Sequence, residues 1–321
     1  MGYRESSGGY SRYARHYRRR GVWGFGRVLL VAALLLAVCG LLVLAPWKAG
    51  GTQGHPEMLA AGPAYATAST GAPEPSIPLE LGDIADTHYL VLVNRDHPLD
   101  ADLGSTHYVG PVEAELAWVG EAVPVLSDDL RLQQAALAAV QKLFDAALEE
   151  DIHTLYITSA YRDYYEQARL YAEMADKDLV QKPDCSEHQT GLAVDIGIEG
   201  VGQFDMAASR EGRWLADNAW RFGLVLRYPP DKQKITHIAG EPWHFRYVGV
   251  PHAWYCWQHQ LCLEEYLGFL QQSGGYCVNL EGVDYCVLYE RPQDGLIYVL
   301  EGAGLSISSD NTGGYVVTVW E

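Results

Sequence analysis

The chain has 321 residues, with 23 lysines and arginines against 41 aspartates and glutamates and a formal net charge of −18 at pH 7. This length allows one or two domains with appendages. Residues 1–27 hold seven arginines and one acid, so the remainder, with 16 basic and 40 acidic residues, has a charge near −24. A region this acidic does not present the basic face that nucleic-acid binding needs. A nucleic-acid-binding function is therefore excluded.

An uncharged apolar run of 18 residues follows the basic tail. As a helix it would be about 27 Å long, close to the ~30 Å hydrocarbon core of a bilayer. We predict a cytoplasmic tail over residues 1–27 and a transmembrane signal anchor over residues 28–46, which places the rest of this single-pass membrane protein outside the cell. A cleaved signal peptide is the alternative, although no clean A-x-A site follows the run. Both alternatives export the body.

Residues 47–86 are rich in Gly, Ala, Pro, Ser and Thr, which predicts a flexible linker. The main domain then spans residues 87–272. Residues 88–93, H-Y-L-V-L-V, indicate its first strand. Ser127 with two aspartates after it is a good N-cap, so we predict that a helix with a core-facing apolar stripe begins there.

A strand is predicted over residues 154–159 from its β-branched and aromatic content. It brings Arg162 to the strand end. Asp163 and Glu166 have the spacing of a capping box, which predicts the start of the next helix. The planar fork of donors on Arg162 suits a carboxylate or a polarised carbonyl.

Residues 186–195 read S-E-H-Q-T-G-L-A-V-D and offer an imidazole, His188, and a carboxylate, Asp195. The segment from Gly191 onward alternates like a strand, and its small residues allow close approach of the backbone. Glu187 is expected to point away from the face of His188, as neighbours on a strand do.

Residues 241–247, E-P-W-H-F-R-Y, add Glu241 and His244. Three positions apart, these two side chains would oppose each other in a regular strand, so a turn or bulge at Pro242 is needed. Two neutral imidazoles and one carboxylate suffice for a catalytic zinc. The second carboxylate would accept a proton from water.

These residues carry a resemblance. The pattern S-x-H-x-x-G-x-A-x-D followed by E-P-W-H resembles the VanY-type zinc D-Ala-D-Ala carboxypeptidases over about residues 90–270. The resemblance implies that His188, Asp195 and His244 bind Zn²⁺ and that Glu241 is the catalytic base.

A third segment, T-S-A-Y-R ending at Arg162, is similar to the family's S-G-Y-R. The resemblance implies a catalytic and substrate-binding role for Arg162 and substrate binding by Gln167. Three positions depart from the family pattern: Ala160 replaces a glycine, Gly240 stands where an aromatic is common, and His237 replaces another glycine. None of them removes a ligand.

The resemblance implies an α+β fold of the D-Ala-D-Ala metallopeptidase and hedgehog-like type, a small, mostly antiparallel sheet flanked by helices. It also implies that the chain removes the terminal D-alanine from peptidoglycan stem peptides. An L,D-carboxypeptidase acting on tetrapeptides is the nearest alternative. A non-hydrolytic cell-wall binding module is another, although such a module has no need of Glu241.

Residues 273–321 alternate short apolar runs with Gly, Asn and Asp turns, which predicts a small all-β extension. If residues 281–282 form a two-residue turn, Cys277 faces Cys286 in a non-hydrogen-bonded pair about 4.5 Å apart. That separation permits a disulfide, which an exported compartment would favour. Two buried free thiols are the alternative.

Overall fold

The computed structural model describes residues 72–99 and 115–321. The predicted basic tail, the predicted anchor and residues 47–71 of the predicted linker lie outside these ranges. Within them, no helix combines the length and the apolar character needed to cross a bilayer.

The described residues form short antiparallel strands and helices of 4 to 16 residues. The strands are β1 (Ile77–Glu80), β2 (Leu116–Trp118), β3 (Arg131–Gln133), β4 (Leu155–Ser159), β5 (Ala193–Ile198), β6 (Leu224–Tyr228), β7 (Glu241–Tyr247), β8 (Gly275–Leu280), β9 (Val283–Glu290), β10 (Leu296–Val299), β11 (Gly304–Ser309) and β12 (Tyr315–Trp320). The helices are α1 (Gln134–Glu149), α2 (Tyr164–Glu173), α3 (Arg210–Asn218), α4 (Gln233–Thr236), α5 (Val250–His259) and α6 (Leu263–Ser273).

The main domain is built around an antiparallel sheet of order β4-β5-β7-β6. One face of α1 packs on it, with Val140 and Leu143 in the same core as Ile157, Ile196 and Phe245. These side chains are almost completely buried. The predicted small antiparallel sheet with flanking helices is therefore confirmed.

Two predicted elements of this domain are wrong. Helix α1 begins at Gln134 and not at Ser127, because residues 131–133 pair with β2 as strand β3. Residues 88–93 are not a strand. Their apolar side chains are buried, but their backbone bonds other groups, for example Leu92 N–H to the Asp310 carbonyl at 3.1 Å. The apolar character of these residues therefore indicates that their side chains are buried, and does not indicate that they pair in a sheet.

The predicted linker extends too far. Within it, β1 pairs antiparallel with β10, with Ile77 opposite Val299 and Glu80 opposite Leu296. Leu79 and Leu81 pack against the core of the C-terminal strands. The partner strand is more than 200 residues away, so the composition of residues 77–86 did not reveal this pairing.

The C-terminal strands form a second antiparallel sheet of order β11-β12-β9-β8. It shares a core with α5 and α6, in which Tyr276 and Val287 meet Trp254 and Leu267. The predicted β extension is thus packed against the main domain.

The first hairpin of this sheet has the predicted register, with Leu280 opposite Val283 and Cys277 opposite Cys286. Glu281 and Gly282 have φ values of 53° and 89°, the left-handed pair that a two-residue turn of the primed type requires. The cysteines form the predicted disulfide, with Cα atoms 4.1 Å apart.

Candidate active site

The central sheet brings the predicted metal ligands together. Asp195 on β5 lies directly opposite His244 on β7 in the strand register. His188 approaches from the 3-10 turn Glu187–Thr190 that precedes β5. One ligand atom from each of the three residues lies within 4.8 Å of the others, and all three are buried or nearly so.

The two imidazoles are oriented by different hydrogen bonds. Nδ1–H of His188 donates to the Ala160 carbonyl at 2.7 Å, which leaves Nε2 facing an Asp195 oxygen 3.4 Å away. In His244 the order is reversed: Nδ1 lies 3.0 Å from Asp195, and Nε2 lies 3.4 Å from Glu187. In each ring, one nitrogen is therefore bonded by a protein oxygen on the side away from Asp195, and the other nitrogen faces Asp195. Metal-binding histidines need this orientation.

The three side chains of this cluster have different protonation preferences. Burial and the nearby Arg162 guanidinium lower the pKa of His188 to about 4, so its imidazole is neutral and able to bind a metal. Burial opposes ionisation of Asp195 as well, but the two imidazoles hold the pKa of its carboxyl below its ordinary range. Burial also opposes protonation of His244, yet bonds to Asp195 and Glu187 raise its pKa to about 9.

Glu241 lies beside the cluster because β7 is bulged. Leu226 pairs with Phe245 and Tyr228 pairs with Glu241, so two steps along β6 match four along β7. The predicted irregularity is confirmed. It puts the Glu241 carboxylate 3.8 Å from Nδ1 of His244. Burial raises the pKa of Glu241 to about 7, so this carboxyl can accept and return a proton near neutrality.

Arg162 is held at the end of β4. Its Nε donates to Gln167 at 2.9 Å, and its Nη1 donates to Ser159 at 2.9 Å. Burial lowers the pKa of Arg162, an effect that the charges of Asp195 and Glu241 oppose. The guanidinium therefore belongs to the same electrostatic site as these carboxylates.

Gln167 supports Arg162 from α2. It is fully buried, its amide oxygen accepts from Arg162, and its amide nitrogen donates to the Gln181 carbonyl at 2.6 Å. The predicted capping box is present, with both hydrogen bonds between Asp163 and Glu166 formed. Both ends of its amide are thus bonded to protein groups, and the contact of Gln167 with substrate stays a prediction.

Glu187 is the functional residue that the sequence analysis misjudged. It is not on a strand, and its side chain does not turn away from the site, since it reaches Nε2 of His244. Arg227 and Arg246 donate to its Oε1 at 2.7 and 3.0 Å, and none of these three side chains is exposed. Burial opposes ionisation of Glu187, but the two guanidiniums hold its pKa well below the ordinary value. The available signal was an arginine in each of two strands, Arg227 in β6 and Arg246 in β7, at positions flanked by apolar or aromatic residues.

The network continues away from the site. Nη1 and Nη2 of Arg227 donate to Glu264 on α6 at 2.9 and 2.7 Å. Asn94 donates to the same carboxylate at 3.1 Å. Nη2 of Arg246 donates to the carbonyls of Tyr89 and Val91 at 3.0 and 3.1 Å. The two arginines that bond Glu187 are therefore also hydrogen-bonded to the first residues of the main domain and to its last helix, α6.

The three departures from the family pattern leave the cluster intact. Ala160 supplies the carbonyl that orients His188. At Gly240 a Cβ would lie 2.8 Å from the Pro230 side chain, so a larger residue would require that proline to move. His237 is 41% exposed and lies 3.8 Å from Asp96.

Comparison with known proteins gives a consistent result. The family model for VanY, D-alanyl-D-alanine carboxypeptidase, matches residues 129–250. A D-alanyl-D-alanine carboxypeptidase of Enterococcus faecium is 30% identical over 232 residues, which cover 72% of this chain and 75% of that protein. The bifunctional D-Ala-D-Ala dipeptidase and D-Ala-D-Ala carboxypeptidase VanXYC of Enterococcus gallinarum is 34% identical over 197 residues, 57% of this chain and 96% of that one.

A solved structure is also similar. The vancomycin resistance D,D-dipeptidase VanXYg, in complex with a D-Ala-D-Ala phosphinate analogue, aligns with a TM-score of 0.63 and 27% identity over 76% of this chain and 98% of its own. Arg162, His188, Asp195, Glu241 and His244 all fall within the range matched by the family model. The resemblance is confirmed, and the chain belongs to the VanY family of D-alanyl-D-alanine carboxypeptidases and is a peptidase.

Proposed function

We propose that this peptidase is a zinc enzyme that removes the terminal D-alanine from peptidoglycan stem peptides ending in D-Ala-D-Ala. The observation that carries the proposal is the convergence of His188, Asp195 and His244 within 4.8 Å, with the Glu241 carboxylate beside them. Family membership supports the substrate class.

The donor set fits zinc. Two imidazole nitrogens and one carboxylate are the ligands of a catalytic zinc site, in which the fourth position stays open. Nε2 of His188 and Nδ1 of His244 are the nitrogens available, because their ring partners are bonded behind them. When bound there, zinc would supply Lewis-acid activation of water and of the scissile carbonyl.

The chain's own residues supply the proton transfer and the substrate contacts. Glu241, with a pKa near 7, accepts a proton from the attacking water and returns it to the leaving amine. The Arg162 guanidinium binds the terminal carboxylate or the developing oxyanion, and Ser159 and Gln167 hold it in place.

The proposal includes an extracellular location. The basic tail of residues 1–27 and the apolar run after it support a single-pass anchor with the enzyme outside. Stem peptides of the wall are accessible on that side. Protease protection of spheroplasts tests this topology: external protease should remove the C-terminal domain and leave the tail intact. Protection of the C-terminal domain would contradict it.

The activity is tested with the zinc-loaded full chain in detergent. It is incubated separately with a muramyl pentapeptide and a muramyl tetrapeptide, and the released amino acid is identified by mass. Release of one alanine from the pentapeptide, abolished by a chelator, is expected. Cleavage of the tetrapeptide alone would instead indicate L,D-carboxypeptidase activity, and no release from either, with zinc bound, would indicate a binding module.

The role of Glu241 is tested by Glu241→Gln. We expect kcat to fall by roughly 10²–10⁴-fold, because the amide cannot accept the proton, while stoichiometric zinc binding persists. Glu173→Gln is the matched control, an exposed glutamate on α2. Full activity of Glu241→Gln would disprove the mechanism.

A further inference from the structure

A cavity lies between the C-terminal sheet and the start of α5. Its volume is about 200 Å³. Four aromatic side chains line it, Tyr89, Tyr247, Tyr285 and Trp320, and each is partly exposed. Tyr89 and Tyr247 meet edge to face with ring centroids 5.1 Å apart. The cavity is therefore an aromatic cleft open to solvent.

The polar groups of these four side chains are unused. Within residues 72–99 and 115–321, no protein group bonds the three phenol oxygens or the indole nitrogen of Trp320. The three phenols also influence one another: burial, and then Tyr89 and Tyr285, raise the pKa of Tyr247 to about 12. Ser306 and Ser308 are part of the same lining, but the Ser308 hydroxyl is already bonded, since it accepts from the Leu90 N–H and donates to the Ser309 carbonyl. Three phenols, which can donate and accept, and one indole N–H, which can donate, thus line the cavity.

The lining carries no acidic or basic side chain other than His252. Nδ1 of His252 bonds Tyr266 at 2.6 Å, its Nε2 bonds Thr318 at 2.9 Å, and burial lowers its pKa to about 3, so it is neutral. A phosphate, a carboxylate or a metal ion would find no counter-charge here. The stem peptide, which ends in a carboxylate, is excluded by the same argument.

A neutral pyranose has the complementary chemistry. Its C–H face is apolar and packs on aromatic rings, and its rim of hydroxyls matches phenol, indole and serine groups. The cavity is smaller than the ~300–1,000 Å³ of sites for drug-sized ligands, which suits one sugar residue with its neighbours outside.

We propose that this cavity is a subsite for an N-acetylhexosamine residue of the wall glycan. The proposal rests on the proposed function only in that the glycan belongs to the same polymer as the stem peptide. Tyr247 lies three residues beyond His244 on β7, about 10 Å along the strand at ~3.3 Å per residue, and its side chain is on the opposite face of the strand. A glycan bound here therefore lies across β7 from the peptidase site and does not occupy it.

The test is titration of the full chain with tri-N-acetylchitotriose. Binding is measured by calorimetry and by Trp fluorescence, each with and without zinc. We expect saturable binding that does not depend on zinc. Tyr285→Ala should weaken it by roughly three- to tenfold, the effect of one aromatic contact. Tyr285→Phe keeps the ring and loses only the hydroxyl, and Trp320→Phe keeps a smaller aromatic ring, so both should weaken binding less. Tyr298→Ala, an exposed tyrosine on β10 outside the cavity, is the matched control.

A kinetic comparison separates this site from the peptidase site. Tyr285→Ala should leave turnover of a sugar-free pentapeptide unchanged and raise KM on polymeric wall. Absence of saturable chitotriose binding, or binding that survives both Tyr285→Ala and Trp320→Phe unchanged, would overturn the proposal, as would competition by a sugar-free stem peptide. Chitotriose binding by a chain that hydrolyses nothing would disprove the proposed function and leave this subsite standing.

Discussion

The buried carboxylate of Glu187 bonds two arginines and lies next to His244. One of its oxygens receives two arginines, and the other faces Nε2 of His244. An isolated buried carboxylate would neutralise, but the two guanidiniums keep it ionised. Its charge holds a proton on Nε2 of His244, so the proton that a metal would displace from this ring is the one on Nδ1.

We expect Glu187→Gln to weaken zinc binding by roughly 10–100-fold, because the amide keeps the shape but loses the charge that orients His244. The measurement is competition with a chromophoric chelator, with Glu173→Gln as control. Circular dichroism shows whether the variant is folded, since two buried arginines lose a partner. A folded Glu187→Gln variant with unchanged zinc affinity would contradict this positioning role.

Two local devices at the element scale place Arg162 and Glu241. The bulge in β7 turns Glu241 to the side of His244. The capping box at the start of α2 sets where that helix begins, and one turn later Gln167 meets Arg162. The bulge is a feature of backbone geometry and the capping box is a pair of side-chain to backbone hydrogen bonds, so small sequence changes at either place would move these side chains.

Removal of the cap should therefore affect both stability and activity. Asp163→Ala is expected to cost about 1 kcal/mol of stability, because the Glu166 amide loses its acceptor. Activity should fall with it, since Gln167 is less firmly placed. Asp163→Asn, which retains a capping side chain, should resemble the parent in urea unfolding and in turnover. Equal losses in both variants would show that the charge matters and not the cap.

The hairpin disulfide should stabilise the C-terminal sheet. Cys277 and Cys286 are nine residues apart, and for so short a loop the chain-entropy model gives about 2–3 kcal/mol. We expect the double variant Cys277→Ser with Cys286→Ser to lose this amount in urea unfolding and to keep its turnover of soluble pentapeptide. Reduction of the parent with a thiol should reproduce the loss. An unchanged unfolding midpoint would refute the stabilising role.

At the scale of the whole molecule, a buried polar cluster joins the main domain to the C-terminal sheet. His252 on α5 bonds Tyr266 on α6 and Thr318 on β12. Tyr266 in turn bonds Tyr276 on β8 at 3.1 Å. The cluster is buried and contains no carboxylate, so burial disfavours the protonated form of His252.

This cluster predicts loss of stability in acid. Burial lowers the pKa of His252 from 6.5 to about 3, so below about pH 6.5 the unfolded chain binds a proton that the folded chain refuses. The free energy of unfolding should therefore decrease by up to about 1.4 kcal/mol per pH unit between pH 6.5 and 3 from this group. Urea unfolding of the parent and of His252→Gln across this range isolates the effect. Parallel curves for the two proteins would rule it out.

The sequence by itself determined the features that depend on near neighbours. The capping box at Asp163 and the hairpin register that pairs Cys277 with Cys286 are set by bonds between residues a few positions apart. The choice of His188, Asp195 and His244 as candidate ligands followed from the resemblance to the family's motif, and their donor chemistry suits a metal.

Only the tertiary structure decided what depends on distant partners. Residues 88–93 are as apolar as a strand, but the groups that bond them come from β7 and the C-terminal sheet. Ile77–Glu80 becomes a strand because β10 is there to pair with it. Glu187 faces His244 because Arg227 and Arg246 meet behind the ligand. The chemistry of a side chain determines which kinds of group it can bond. The packing of the whole chain determines which of those groups lies close enough to be its partner.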